Sequence, residues 1–209
     1  MNETTDRELL IATTNEGKAN EFRPLFESKG IKIKTLKDYP DFPEVEETGF
    51  TFEDNALLKA ETLSKALNIP VLADDSGLVV DALDGQPGVF SARFAGEEKN
   101  DAANNAKLLS ELAGIPFDER TAHFHCALAL AIPQKKSLIV EGKVEGIILP
   151  VPRGENGFGY DSLFFVPNLN KSMAELPKNE KNKYSHRAKA IENMEKKWGN
   201  IESLLEGEF

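Results

Sequence analysis

The sequence predicts an α/β fold: a large mixed, partly antiparallel twisted sheet flanked by helices, as one domain or as two lobes with the active-site cleft between them. Three observations predict it. Short buried strands alternate with amphipathic helices in the first half of the chain. A long run of alternating apolar residues, the period of a strand, follows in the second half. Proline, glycine and acidic clusters punctuate the connections. A chain of 209 residues with 40% apolar side chains is long enough to bury one sizeable core, and residues 1–209 read as a single domain.

Glu8 to Thr13 reads as a short buried strand and Gly17 to Lys29 as the following helix, with Asn15 as its cap. Pro24 falls inside that helix, where the missing N–H is expected to bend the axis. Ile31 to Leu36 reads as a second strand, and Pro40 to Gly49, acidic and without periodicity, as a loop. Phe52, Ala56, Ala60, Leu63 and Leu67 recur at helical spacing behind Thr51, a candidate cap. Pro70 ends that helix, Val71 to Ala73 reads as a buried strand, and Asp74, Asp75, Ser76 and Gly77 follow at the strand's end. Asp101 to Leu112 has the pattern of another amphipathic helix. Ala122, Phe124, Cys126, Leu128, Leu130 and Ile132 alternate as in a strand, with Ser137 to Ile148 as partner across the Pro133 to Lys136 turn. A glycine-rich stretch, Gly154 to Gly159, and an amphipathic helix from Ser185 to Trp198 complete the chain. Residues 1–7 are polar and expected to fray.

The formal charge of −10 argues against a broad nucleic-acid-binding face, yet leaves room for a small phosphate compound if basic groups and a metal converge locally. No apolar run approaches the roughly 20 residues that cross a bilayer. The single cysteine, Cys126, can form no internal disulfide. The start lacks the apolar stretch of a secretory signal, so the expected compartment is the cytoplasm.

Thr13, Thr14, Asn15, Glu16, Gly17 and Lys18 connect the first strand to the first helix. There, backbone N–H groups, hydroxyls and an ammonium can converge on a phosphate; an ordinary capped helix start explains the segment equally well. Asp74 and Asp75 are adjacent carboxylates at a strand end, costly to place together unless a cation or hydrogen bonds compensate. Magnesium, which prefers oxygen ligands, would suit them, with Glu46 and Glu47 sharing it. The plain alternative is a solvated acidic turn. Asn55 and Lys59, four apart, share a helix face from which Lys59 can reach a phosphate or pair with a glutamate. His123 and His125 lack a third ligand at zinc spacing and read as structural, as does Cys126. Phe158, Gly159, Tyr160 and Asp161 can stack a planar base around a flexible glycine. His186 and Arg187, in the first turn behind Ser185, can donate to a keto oxygen, with Lys181 adding a cation upstream.

Together these segments resemble the Ham1-like, or RdgB-like, family of inosine and xanthosine triphosphate pyrophosphatases. The resemblance covers nearly the whole chain. It rests in order on Thr13 to Lys18, on Glu46 to Gly49 with Phe52 to Ala56, on Ala73 to Leu78, on Pro87 to Arg93, on Gly157 to Asp161 and on Ser185 to Arg187. It implies a magnesium-dependent homodimer that hydrolyses noncanonical purine nucleotides (ITP, dITP, XTP) to the monophosphate and pyrophosphate, keeping them out of nucleic acids. It further implies that Thr13 to Lys18 holds the phosphates, that Asp75 binds Mg2+ and acts as general base, and that the Glu46-Glu47 pair binds metal. Ser76, Phe158 to Asp161, Lys181, His186 and Arg187 would contact the substrate. Thr14, where relatives often carry glycine, Pro24, which interrupts the first helix, and Phe90, where tyrosine is common, depart from the pattern. Two other functions fit parts of it: a Maf-like pyrophosphatase acting on other modified nucleotides, and a nucleotide-sensing module that binds a triphosphate without cleaving it. The segments Phe158 to Asp161 and Ser185 to Arg187 argue against the first, and the two acidic pairs against the second.

Overall fold

The computed structural model describes residues 7–206. The fraying expected of residues 1–6 lies outside the described residues, while Arg7 accepts a backbone hydrogen bond from Lys32 at 2.8 Å. The strands are β1 (Glu8–Ile11), β2 (Lys32–Thr35), β3 (Val71–Val80), β4 (Thr121–Ala131), β5 (Leu138–Ile148), β6 (Phe164–Val166) and β7 (Lys171–Ser172). They are hydrogen-bonded in the order β2-β1-β3-β4-β5-β6-β7. Pairing is parallel from β1 to β2 and β3, and antiparallel from β5 to β6 and from β6 to β7, so the sheet is mixed as expected. The helices are α1 (Glu16–Glu27), α2 (Phe52–Leu67), α3 (Asp101–Glu111), α4 (Lys178–Tyr184), α5 (His186–Lys196) and α6 (Trp198–Glu206).

The chain folds as two compact units. One comprises the residues up to Asp75 with 127–141 and those from Ala190 onward; the other comprises 76–126 and 142–189. In the first unit, α1 starts where the Asn15 side chain accepts a hydrogen bond from the Lys18 N–H at 3.2 Å. Phe22 and Phe26 are buried, and the helix runs through Pro24 to Glu27. Trp198 meets the Phe26 ring edge-on at 5.9 Å. Thr51 caps α2 by accepting from Asp54 N at 3.1 Å, and Phe52, Ala56, Ala60 and Leu63 are buried, which is the stripe the spacing predicts. Asn68, in the left-handed conformation at φ 55°, terminates α2 before Pro70 is reached.

Two expectations are corrected. The strand expected to stop at Ala73 continues through Asp74, Asp75, Ser76 and Gly77 to Val80. Pairing with β1 ends at the Ile11–Leu72 register, but Leu78 and Val80 then enter the core of the second unit with Phe94, Leu108, Phe124 and Phe164. The polar quartet is therefore mid-strand, and its two carboxylates are buried. The single helix expected from Ser185 to Trp198 is two, broken at Lys197, whose N–H bonds back three residues to Met194 O and whose carbonyl accepts from Ile201 N. A short polar helix, α4, precedes them.

In the second unit the Asn100 side chain caps α3 by accepting from Ala103 N at 3.0 Å. At its other end the buried Arg120 guanidinium donates to Leu112 O at 2.8 Å and Ile115 O at 3.0 Å, placing a cation where carbonyls lack helical partners. Cys126 is buried, and the His123 and His125 rings lie 6.2 Å apart.

Candidate active site

Within the first unit, the turn from β1 into α1 places Lys18 so that its ammonium pairs with Asp74 Oδ2 at 3.0 Å. The Thr13 hydroxyl accepts from Asn15 N at 3.1 Å, while Thr14 and Gly17 are exposed. Glu16 faces Arg23 and Lys37, each at 3.4 Å. One turn apart on α2, Asn55 and Lys59 reach β3 at the Asp75 carboxylate and the Asp74 carbonyl respectively. Asn55 is buried and bridges two segments: Oδ1 accepts from Gly49 N at 2.7 Å, and Nδ2 donates to Asp75 Oδ2 at 2.9 Å. A side chain at Gly49 would put its Cβ 2.7 Å from that same Oδ1, so glycine is needed for the close approach.

Lys59 donates to Glu47 Oε1 at 2.7 Å and to the carbonyl of Asp74. Burial pulls the Lys59 ammonium down, but Asp74, Glu47 and Asp75 outweigh it and hold its pKa above the ordinary value. Asp75 is the most perturbed carboxyl here. Its pKa is raised from 3.8 to about 6: burial pushes it up most, Lys59 and Asn55 pull it down, and Glu47 and Asp74 add to the rise. The structure separates the two loop glutamates that sequence alone could not: Glu47 is half-buried on Lys59, whereas Glu46 is exposed. A buried carboxyl that titrates near neutrality, beside an ammonium and an amide donor, is equipped to take a proton from water.

Within the second unit, Asp161 organises the glycine-rich segment. Its Oδ2 accepts from Phe158 N at 2.9 Å and from the Lys181 ammonium, which also lies 4.7 Å over the Phe158 ring. A Cβ at Gly157 would fall 2.1 Å from Asp161 Oδ2, and Gly157 has φ 81°, so this position admits only glycine. The Phe158 ring is 63% exposed, although its backbone is held on Asp161. Tyr160 is buried and donates to Ser91 O at 2.8 Å; burial and the nearby Asp101 raise its pKa and keep it a neutral donor. Ser91 in turn donates to Gly88 O and accepts from Leu78 N, so the Pro87 to Arg93 segment buttresses this part of the unit. Ser185 caps α5 by accepting from Ala188 N at 3.1 Å. His186 stacks on Phe124 at 5.0 Å and 20°, Arg187 is buried, and Ser76 follows Asp75 half-buried on β3.

The candidate residues thus gather in two groups, each assembled within its own unit. Reasoning from sequence allowed Lys59 to pair with a glutamate without singling out Glu47, and it missed the Tyr160–Ser91 bond and the contacts of α3 with Gly159. The last two join residues 69 and about 55 positions apart, and nothing local announces them.

Comparison with known proteins places the chain. The model of the Ham1 family matches residues 9–197. A dITP/XTP pyrophosphatase of Geobacillus kaustophilus (strain HTA426) is 57% identical over 195 residues, which cover 93% of this chain and 96% of that one. One from Listeria monocytogenes serovar 1/2a is 55% identical over 188 residues, covering 90% and 93% respectively. Among solved structures, the Staphylococcus aureus Ham1 protein superposes with a TM-score of 0.87 at 45% identity, over 93% of this chain and all of the other. A nucleoside-triphosphatase, dITP/XTP pyrophosphatase, from Mycobacterium abscessus does so at 0.78 and 43%, over 90% of this chain and 97% of the other. By sequence and by fold alike, the chain belongs to the Ham1 family.

Proposed function

We propose that this protein is a nucleoside triphosphate pyrophosphatase that hydrolyses noncanonical purine nucleotides, ITP, dITP and XTP, to the monophosphate and pyrophosphate. The names of its relatives support the activity, and one observation supports the chemistry: Asp75, buried and pushed to about 6, sits among Lys59, Asn55 and Glu47. Asp75 acts as general base on a water that attacks the α-phosphorus, with pyrophosphate leaving. Asn55 fixes the carboxylate by donating to Oδ2. Lys18, Lys59 and the Thr13 to Lys18 turn hold the phosphates and offset charge on the leaving group.

Glu47, Asp74 and Asp75 offer hard oxygen donors, and the mutual repulsion that helps raise Asp75 is what a dication relieves. Glu47, Asp74 and Asp75 would hold Mg2+, with the exposed Glu46 beside them; when bound, the ion supplies charge neutralisation at the phosphate oxygens.

Selection rests on the base. Phe158 stacks it, and donors at His186, Arg187 or nearby backbone meet a 6-keto oxygen, so that an adenine amino group is turned away. Exclusion of guanine requires a second element at its 2-amino group. The family resemblance also supports a homodimer acting in the cytoplasm to keep these nucleotides out of nucleic acids; among the described residues no helix is long and apolar enough to cross a membrane. Pyrophosphate release from ITP, dITP, XTP, GTP and ATP, with and without Mg2+, tests the proposal. Release from the first three, abolished by Asp75→Asn, is expected, and equal rates on all five would refute the purine preference.

A further inference from the structure

The backbone of Gly159 is gripped on both sides by one helix. Its N–H donates to Asp101 Oδ2 at 2.7 Å, and its carbonyl accepts from Asn105 Nδ2 at 2.9 Å. Asp101 and Asn105 are four apart on α3 and so rise one above the other on a single face. Gly159, at φ 61°, is the residue between the exposed Phe158 ring and the buried Tyr160, and it completes the turn that Asp161 closes through Phe158 N. The turn is therefore fixed at three backbone groups: Phe158 N by Asp161, and Gly159 N and O by α3.

Stability alone is a poor reason for this pair. Asp101 is exposed and sits in the first turn of α3, where Asn100 already supplies the cap. Asn105 Oδ1 is buried and has no hydrogen-bond partner among the described residues, a cost that an apolar side chain of similar size would not carry. What the pair does accomplish is to hold still a backbone whose neighbouring ring is left open to solvent. Precise placement of a stacking ring matters when two purines differ by a single exocyclic group.

We propose that Asp101 and Asn105 are positioning residues for base selection: through the two backbone groups of Gly159 they set the Phe158 ring and the turn leading to Asp161 where a 6-keto purine docks. This inference rests on the proposed contact between the Phe158 to Asp161 segment and the base.

The test uses the full-length enzyme and steady-state kinetics with ITP and ATP on wild type, Asp101→Ala, Asp101→Asn, Asn105→Leu and Phe158→Ala. Loss of one grip on Gly159 should raise KM for ITP about ten-fold with kcat within two-fold, and lower the ITP-over-ATP ratio of kcat/KM. Asp101→Asn keeps an acceptor oxygen for the Gly159 N–H and should restore wild-type KM. A merely structural role would lower the active fraction, and so kcat, for both nucleotides equally, leaving KM and selectivity unchanged; that outcome in Asp101→Ala and Asn105→Leu overturns the proposal. Phe158→Ala separates the two levels of the argument. If it leaves KM for ITP unchanged, the base contact itself is wrong; if it raises KM while the α3 variants do not, only the positioning role is lost.

Discussion

Replacing Asp75 by asparagine should stabilise the metal-free protein while destroying its turnover. Asp75 is 9% exposed and its carboxyl is pushed from 3.8 to about 6, chiefly by burial. A folded-state pKa raised above the unfolded value means that this group's contribution to stability is fully present below pH 3.8 and is lost as pH rises through 6. The shift of about two units corresponds to about 3 kcal/mol against the ionised form at neutral pH. Asparagine cannot ionise and keeps an oxygen to accept from Asn55. The difference between variant and wild type should therefore be about 1 kcal/mol near pH 4.5 and grow to about 3 kcal/mol above pH 7. At roughly 2–4 °C per kcal/mol for a chain of this size, the gap in Tm should reach about 6–12 °C. Urea and thermal unfolding with a chelator present, from pH 4.5 to 8, measure it, and titrations of all other groups cancel in the comparison. A gap that is flat with pH, or that favours wild type, would refute both the buried ionised carboxylate and the trade of stability for function drawn from it.

Two further predictions concern the neighbours. Lys59→Met removes the largest influence holding Asp75 down, so the acidic limb of the kcat/KM–pH profile should move above its wild-type position, with activity lost more at pH 6.5 than at pH 8.5; an unmoved limb would show that Asp75 does not set it. Gly157→Ala forces a Cβ to 2.1 Å from Asp161 Oδ2 at a positive φ, so KM for ITP should rise several-fold and stability should fall by about 1–3 kcal/mol; kinetics and a thermal melt check both, and a wild-type KM would place Asp161 outside base recognition.

What the sequence revealed and what it hid follow from the range of the interactions involved. Thr51 and Asn15 were legible as caps because capping acts over three residues, and the α2 stripe because its period is local. The continuation of β3 past Ala73 was not, because an Asp-Asp-Ser-Gly run carries the composition of a turn; only Leu78 and Val80, anchored in another part of the core, hold it extended. The break at Lys197 was hidden because Trp198 and Ile201 prolong the apolar periodicity across it. In the candidate site, residue types could be chosen from sequence, but their pairing could not. Glu46 and Glu47 were indistinguishable until Lys59, twelve residues beyond Glu47, took one of them.

The way the two units divide the chain bears on how the protein is made. The first unit draws on residues up to Asp75, on 127–141 and on the segment from Ala190 onward, and Ala190, Met194 and Ile201 are fully buried. During synthesis at about 5–20 residues per second, its core cannot close until the last helices have left the ribosome, so the nascent chain must keep Leu9, Leu10 and Ile11 from premature partners for about 10–40 s. The second unit, confined to 76–126 and 142–189, has all of its residues synthesised earlier. Its completion can precede that of the first, reversing the order in which the two begin to emerge.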